Sequence, residues 1–282
     1  MTRNFDAPDR SGSPPDSHSG EKRTASPSGS APAETAWLDQ VQSERLRLTD
    51  QSRIVSNGTR HLLGADRYQL LAARLARWPQ SKPLRTLLVT SAVSAEGKTV
   101  SAINLAIALA RTAGRRVLLI DGDLRNAGLT RLLGVSFSPG LAEFLQGQVD
   151  LGTVVRRLEP LGVYFVSSGR RTNSPMDLLE LPALRQLFAE KVAEFDWVIV
   201  DSVPLGNLPD TQPFAALVSG ILLVVRAGRA PRDLITHALQ SIRPEQFLGV
   251  VLNGGVAPGE QYYYHYYRDG ASRTGSRDAG KR

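Results

Sequence analysis

The sequence of 282 residues contains no cysteine. Without thiols the chain can form neither a disulfide bond nor a thiolate metal site, which fits a reducing compartment. No apolar run has the length needed to span a bilayer, and the first residues lack the apolar core of a secretory signal. We therefore expect a cytoplasmic protein.

Aromatic residues are also scarce, at 6% of the chain. The net charge is +7, but basic residues are not interleaved with aromatic ones along most of the sequence, so no nucleic-acid partner is expected. Part of the positive charge follows residue 267. A solvated tail is the simplest interpretation of that segment, and attraction to an anionic membrane surface is the alternative.

Composition divides the chain into three segments. The first 36 residues contain five prolines among many serines and glycines, and almost no large apolar side chain. Such a segment cannot bury enough surface to offset the entropy lost on ordering. We therefore expect a disordered or linker segment over residues 1–58, a folded domain over 59–260, and a tyrosine-rich and basic tail over 261–282.

Short apolar runs alternate with stretches of helical spacing. The predicted strands cover 84–92, 115–125, 161–169, 196–204, 220–228 and 247–255, and the predicted helices cover 36–48, 65–78, 100–114, 174–195 and 231–242. This alternation predicts an α/β fold, with a mostly parallel sheet covered by helices on both faces. In such sheets ligands bind beyond the carboxyl ends of the strands.

The stretch "AVSAEGKT" (92–99) nearly matches the nucleotide-binding loop G-x4-G-K-[ST]. Gly97 would let the backbone approach phosphates, Lys98 would supply a point charge, and Thr99 a hydroxyl ligand for Mg²⁺. Ala92 and Ala95 stand where glycines are usual, which is compatible with the loop if φ is negative there. The candidate cofactor-binding residues of this region are Ala95, Glu96, Gly97, Lys98, Thr99 and Val100.

Three acids stand at the ends of predicted strands. Asp121 and Asp123 lie two residues apart in "LLIDGDLR", and Asp201 ends "WVIVD". Together with the loop they indicate a site for Mg²⁺ and ATP, where carboxylates hold the metal shell or take a proton. Arg125 is either a phosphate ligand or an ordinary surface arginine.

Five of the seven tyrosines fall within six residues near the end of the chain. They are Tyr262, Tyr263, Tyr264, Tyr266 and Tyr267. Neither a strand nor a helix buries five nearly consecutive side chains on one face, so a buried strand is disfavoured. The basic tail argues against a stacking or aggregation-prone segment. A phenol has a pKa of about 10 and needs a base and a metal to accept a phosphoryl group.

These motifs together resemble the bacterial tyrosine kinases of capsule and exopolysaccharide synthesis (BY-kinases), in particular their stand-alone cytoplasmic kinase subunit. The matching segments are "SAVSAEGKT" for the Walker A motif, "LLIDGDLR" for Walker A′, "VIVDSVP" for Walker B, and "YYYHYY" for the terminal tyrosine cluster. The resemblance covers about residues 60–267 and implies a P-loop NTPase fold of the MinD/ParA type.

The resemblance also implies roles for individual residues. Lys98 contacts the phosphates, and Thr99, Asp121 and Asp201 serve the Mg²⁺ ion. Asp121 is the base or holds the water-bound metal, and Asp123 assists it. Asn253 touches adenine, and Arg125 belongs to the cofactor site. The five tyrosines are autophosphorylation sites.

The resemblance implies partners as well: a membrane polysaccharide co-polymerase (Wzz-like) as activator, a cognate tyrosine phosphatase, and recruitment to the inner face of the plasma membrane. Self-association is expected, but the E-x-x-R-x-x-R motif used for ring formation is replaced here by Asp66, Gln69 and Ala72. Two alternatives stay open. One is a ParA/MinD-like nucleotide-switch ATPase, although its signature lysine is replaced by Val93. The other is a kinase-dead nucleotide-binding adaptor.

Overall fold

An eight-stranded sheet forms the centre of this computed structural model, which describes residues 33–47, 53–55, 62–79, 84–111, 115–206 and 209–255. The strands are β1 Gln42–Arg45, β2 Thr86–Ser91, β3 Val117–Asp121, β4 Val155–Glu159, β5 Val163–Val166, β6 Trp197–Asp201, β7 Gly220–Arg226 and β8 Phe247–Asn253. Their spatial order is β1-β4-β5-β3-β6-β2-β7-β8. Only the β4–β5 pair is antiparallel among these strands. The predicted mostly parallel sheet is confirmed.

The central strands are buried on both faces, which explains why they are almost continuously apolar in sequence. Because successive side chains point to opposite faces, neighbouring residues of one strand enter two separate cores. Leu88 of β2 belongs to one core, and Leu87 and Val89 belong to the other.

Helices cover both faces, as predicted. They are α1 Leu62–Ala76, α2 Lys98–Ala110, α3 Gly128–Leu133, α4 Leu141–Leu145, α5 Leu151–Val154, α6 Pro175–Leu179, α7 Pro182–Gln186, α8 Gln212–Ala215 and α9 Arg232–Gln240. Apolar residues of α1, α2 and α3 join the core that contains Leu87. Those of α4, α6, α7 and α9 join the core that contains Leu88. No helix in the described ranges combines the length and the apolar character needed to cross a membrane.

Two predicted helices are wrong in part. The stretch 36–48 covers the end of a 3₁₀ helix, Ala33–Gln40, followed by strand β1. The stretch 174–195 is broken into α6, α7, a π-helical turn Leu187–Lys191 and a 3₁₀ turn Val192–Glu194. Pro182 explains the first break, because proline has no backbone N–H to continue a preceding helix.

Part of the predicted linker 1–58 is packed onto the folded domain, which corrects that expectation for residues 33–47 and 53–55. Leu38 is buried in one core, whereas Leu46 and Ile54 are buried in the other. Between them β1 pairs in parallel with β4, and Glu44 forms an ion pair with Arg156 at 3.1 Å. The segment therefore passes from one face of the sheet to the other around its edge.

The end of this segment is fixed to helix α2. The side chain of Asn104 accepts a hydrogen bond from Val55 N at 2.8 Å and donates one to Arg53 O at 3.0 Å. The segment is thereby joined to the helix that follows the candidate phosphate loop. Residues 1–32 and the predicted tail over 261–282, including the five tyrosines, lie outside the described residues.

Candidate functional site

The candidate phosphate loop connects the end of β2 to the first residue of α2. Two of its residues have left-handed backbone conformations: φ is 61° at Ala95 and 95° at Gly97. Alanine fits this loop without strain only where φ is negative, and Ala95 does not meet that condition. Ala92 is buried and does not have a positive φ.

Gly97 also lies against the end of β8. A Cβ atom at this position would collide with the side-chain amide of Asn253. That amide donates to the carbonyl of Glu96 at 2.9 Å. The structure thus brings Asn253 to the loop itself, while its predicted contact with adenine stays a prediction.

Lys98, the first residue of α2, faces carboxylates at the ends of two other strands. Its Nζ lies 3.4 Å from Asp201 Oδ1 and 3.8 Å from Asp123 Oδ2. It also lies 3.3 Å from the hydroxyl of Thr99. Burial alone would lower the pKa of Lys98, but Asp201, Asp123 and Asp121 raise it above its ordinary value. The lysine is therefore held as a cation at the centre of the site.

Asp121 is fully buried and lies opposite Asp201 in register on the neighbouring strand. Burial and the charge of Asp201 raise the pKa of Asp121 to about 7, although hydrogen bonds from Thr130 act in the opposite direction. Thr130 donates to Asp121 Oδ2 from its backbone N–H at 2.7 Å and from its hydroxyl at 2.6 Å. Burial likewise raises the pKa of Asp201.

Asp123 and Arg125 follow β3 but have different partners. Asp123 Oδ1 accepts a hydrogen bond from Asn126 N at 2.9 Å, and its other oxygen faces Lys98. Arg125 forms a two-pronged ion pair with the buried Asp210, with Nη2 3.0 Å from Oδ1. The guanidinium predicted for the cofactor site is therefore engaged with a carboxylate beyond β6.

The described residues contain no cluster of three or more acids, histidines or cysteines arranged to hold a metal ion. An Mg²⁺ ion at this site would need phosphate oxygens and water to complete its shell, as is usual for this ion. Asp201 Oδ2 is buried without a hydrogen-bond partner among the described residues. An unpaired buried oxygen, on an aspartate that also interacts with the Thr99 side chain, fits the predicted metal site.

A cavity of about 690 Å³ opens beside the loop, between Val93 and Ser94 on one side and residues 226–229 and Pro231 on the other. Arg229, one of the lining residues, donates to Ser94 O at 3.1 Å. The predicted Val100 lies in the first turn of α2 and is half-buried. The cavity leaves room for the part of a nucleotide that extends beyond its phosphates.

The predictions from sequence missed two residues of this site. Thr130 binds Asp121 through both its backbone and its hydroxyl, and Asp210 binds Arg125. Neither belongs to a recognisable motif. Each acquires its role only because the fold brings distant segments together.

The sheet, the loop and the acids define a P-loop nucleotide-binding protein of the α/β class. Residues 87–253 match the family of CobQ/CobB/MinD/ParA nucleotide binding domains. Tyrosine-protein kinase CpsD of Streptococcus pneumoniae is 35% identical over 176 residues, which cover 60% of this chain and 76% of that protein. The kinase domain of the Escherichia coli tyrosine kinase ETK has a TM-score of 0.65 at 25% identity, covering 79% of this chain and 89% of that one.

The chain therefore belongs to the bacterial tyrosine-protein kinases, within the CobQ/CobB/MinD/ParA group of nucleotide-binding domains. The family and fold predicted from the motifs are confirmed. The succinoglycan biosynthesis transport protein ExoP of Rhizobium meliloti is 34% identical over 60% of this chain, but the chain spans only 22% of that protein. The match to that longer protein is thus limited to one region.

Proposed function

We propose that the protein is an ATP-dependent tyrosine autokinase that phosphorylates its own cluster at Tyr262, Tyr263, Tyr264, Tyr266 and Tyr267. The convergence of Asp121, Asp123 and Asp201 on Lys98 at the mouth of a phosphate loop is the observation that carries the proposal. Such a site neutralises transferring phosphate while offering a base to an acceptor hydroxyl.

In the proposed reaction Asp121 takes the phenolic proton of a tyrosine. A pKa near 7 suits a general base that works at neutral pH. The phenolate oxygen then forms a bond to the γ-phosphorus of ATP, and the bond from that phosphorus to the bridging oxygen of ADP breaks. Lys98 and the N–H groups at the start of α2 stabilise the charge on the phosphate oxygens.

Asp201 and Thr99 are the residues that would hold Mg²⁺, and the unpaired oxygen of Asp201 supports this assignment. The ion would supply neutralisation of phosphate charge in the transition state. Asp123 assists by keeping Lys98 oriented toward the site, and Arg125 approaches the phosphates only if it leaves Asp210.

We further propose that the kinase regulates exopolysaccharide or capsule polymerisation together with a membrane co-polymerase. The name and the longer chain of the ExoP relative support this proposal, because there a homologous region belongs to a polysaccharide transport protein. A cytoplasmic segment of that partner would activate the kinase and recruit it to the membrane, and a cognate phosphatase would reverse the modification. Co-purification of the chain with the membrane partner from cells would test this, and its failure after cross-linking would contradict it.

Phosphorylation should weaken the proposed self-association. Each phosphotyrosine carries about −1.5 to −2 charges, so a fully modified cluster repels its copies on neighbouring molecules. Size-exclusion profiles of the phosphorylated and the phosphatase-treated protein should therefore differ, with the phosphorylated form smaller. Coincident profiles would contradict this part of the proposal.

Mass spectrometry after incubation with Mg·ATP tests the kinase activity itself. We expect phosphate on Tyr262–Tyr267 in the wild-type protein and none in Lys98→Ala. Lys191→Ala is the matched control, because Lys191 is half-exposed and pairs with Glu194 away from the site. ATP hydrolysis without tyrosine phosphate, even with the partner's cytoplasmic segment added, would favour the nucleotide-switch ATPase. Binding without either reaction would favour the adaptor.

A further inference from the structure

Glu96 lies in the middle of the phosphate loop, yet its side chain is completely buried. One carboxylate oxygen accepts a hydrogen bond from Val93 N at 3.0 Å, within the same loop. The other accepts one from Arg226 N at 3.3 Å, at the last residue of β7. The backbone carbonyl of Glu96 accepts the third bond, from Asn253 at the last residue of β8. One residue therefore joins the loop to the carboxyl ends of two further strands.

A carboxylate is an unfavourable neighbour for phosphate. The site already contains Asp121, Asp123 and Asp201, and Lys98 is the cation that faces them. Removing a further carboxylate from water is also costly unless hydrogen bonds compensate it. The chemistry of Glu96 therefore opposes direct binding of the nucleotide, and its contacts point to a different task.

The backbone on either side of Glu96 indicates a structural role for its contacts. Ala95 and Gly97, the two neighbours of Glu96, have φ of 61° and 95°. A left-handed conformation at a non-glycine residue is unfavourable and persists only when surrounding contacts enforce it. The two hydrogen bonds to the Glu96 side chain and the one to its carbonyl are suitably placed to enforce it.

We propose that Glu96 is a positioning residue of the nucleotide site, which fixes the phosphate loop by tying it to the ends of β7 and β8. This inference rests on the proposed function in so far as the loop binds a nucleotide. The carboxylate itself contacts no ligand. It holds the loop in its binding conformation before the nucleotide arrives, which spares the nucleotide the entropic cost of ordering it.

Glu96→Gln is the direct test, because the amide has the same shape but presents N–H to one of the two backbone N–H groups. We expect the Kd for Mg·ADP, measured by calorimetry, to rise at least about tenfold, the value of one hydrogen bond to a charged group. In hydrogen exchange of the nucleotide-free protein, the peptides that contain Val93 and Arg226 should lose protection together. Asn253→Ala should raise the Kd in the same direction.

Glu143→Gln is the matched control. Glu143 is also a buried carboxylate that accepts backbone N–H bonds, from Gly140 and Arg170, but outside the loop. The Glu143→Gln variant should be less stable than the wild type, without a comparable change in its Kd for Mg·ADP. If Glu96→Gln folds and binds Mg·ADP as the wild type does, or if only one of the two peptides loses protection, the proposal is wrong.

Glu96→Asp keeps the test decisive if the glutamine variant does not fold. The shorter carboxylate cannot reach both N–H groups, so it should protect only one of the two peptides and raise the Kd for Mg·ADP above that of the wild type. A wild-type Kd in Glu96→Asp would overturn the proposal. A wild-type protein that binds Mg·ADP but transfers no phosphate contradicts the proposed kinase alone and leaves these measurements valid.

Discussion

Asp121 and Asp201 end two neighbouring parallel strands in register, and both side chains are fully buried. Gly122 follows Asp121 and donates its N–H to Asp201 O at 2.8 Å, which fixes the two strand ends together. A Cβ on Gly122 would lie 2.9 Å from that carbonyl, so a larger residue would push the strand ends apart. The fold thus keeps two carboxylates close together in its interior, where burial and the charge of Asp201 both disfavour ionisation of Asp121.

Asp121→Asn should stabilise the nucleotide-free protein at neutral pH. The pKa of Asp121 is raised from its ordinary 3.8 to about 7, so between these values the folded state binds a proton that the unfolded state releases. The free energy of unfolding should therefore fall as the pH rises through this range. We expect the substitution to flatten this slope and to add up to about 4 kcal/mol at pH 7, as measured by urea denaturation.

Asp39→Asn, at an exposed position, controls for the loss of one negative charge. Equal pH profiles for Asp121→Asn and the wild type would show that the buried carboxylate does not titrate in this range. Asp121→Asn should also transfer no phosphate to tyrosine if Asp121 is the base. Stability and activity should therefore change in opposite directions.

Ala95→Gly should raise the thermal stability of the domain. Alanine at φ 61° is strained, and glycine relieves about 1 kcal/mol of this cost while adding entropy to the unfolded chain. The net effect should be a modest increase in Tm, measured by calorimetry. Ala92→Gly is the control: its φ is not positive, so the glycine there should lower Tm. A fall in Tm for both variants would contradict the argument.

The elements that the sequence predicted well have a common physical property. Strands such as Val117–Asp121 and Trp197–Asp201 are buried on both faces, so their sequences are short apolar runs that end in an acid. The phosphate loop is equally local, because its glycine, lysine and threonine are consecutive. Both signals lie within about ten residues of sequence and need no knowledge of the rest of the fold.

The elements that the sequence did not predict depend on distant contacts. Strand β1, with the sequence QSER, is mostly exposed. It forms because its backbone pairs with β4 at the edge of the sheet. Strand β4 has the sequence VRRLE, whose three charged residues interrupt the pattern of apolar residues by which a strand is predicted. Arg125 and Asp210 are 85 residues apart, so no spacing rule connects them. The burial of the Glu96 side chain likewise depends on distant residues, because Glu96 bonds to Arg226 and Asn253 at the ends of β7 and β8.

Ile54→Ala should destabilise the domain strongly, although it lies in a segment expected to be a linker. Its side chain is 2% exposed and belongs to the core shared with α1 and α2. Removing a buried isoleucine in this way typically costs about 2–4 kcal/mol. Leu252→Ala, at a side chain that is 64% exposed, should change stability by less than about 0.5 kcal/mol. Denaturant unfolding measures both, and equal values would show that residues 53–55 do not stabilise the domain.

The ion pair between Arg125 and Asp210 supports a last prediction. Asp210 is 2% exposed, whereas the arginine side chain is 36% exposed. Arg125→Ala leaves a buried carboxylate without its cation and should cost about 1–2 kcal/mol, after allowance for screening by solvent. Asp210→Asn leaves only a partly exposed cation and should cost less. In the double variant Arg125→Ala/Asp210→Asn the asparagine needs no counter-charge. The loss in the free energy of unfolding should therefore be smaller than the sum of the two single losses.

The same variants separate the two roles of Arg125. If the arginine only joins the loop after β3 to the residues after β6, Arg125→Lys should recover part of the stability, and the KM for ATP should stay near the wild-type value. If the guanidinium also leaves Asp210 to bind a phosphate, Asp210→Asn should lower the KM for ATP because it frees the arginine. Urea denaturation together with initial rates at several ATP concentrations distinguishes the two cases. An unchanged KM in Asp210→Asn would exclude Arg125 from the cofactor site and leave it as a connection between the ends of β3 and β6.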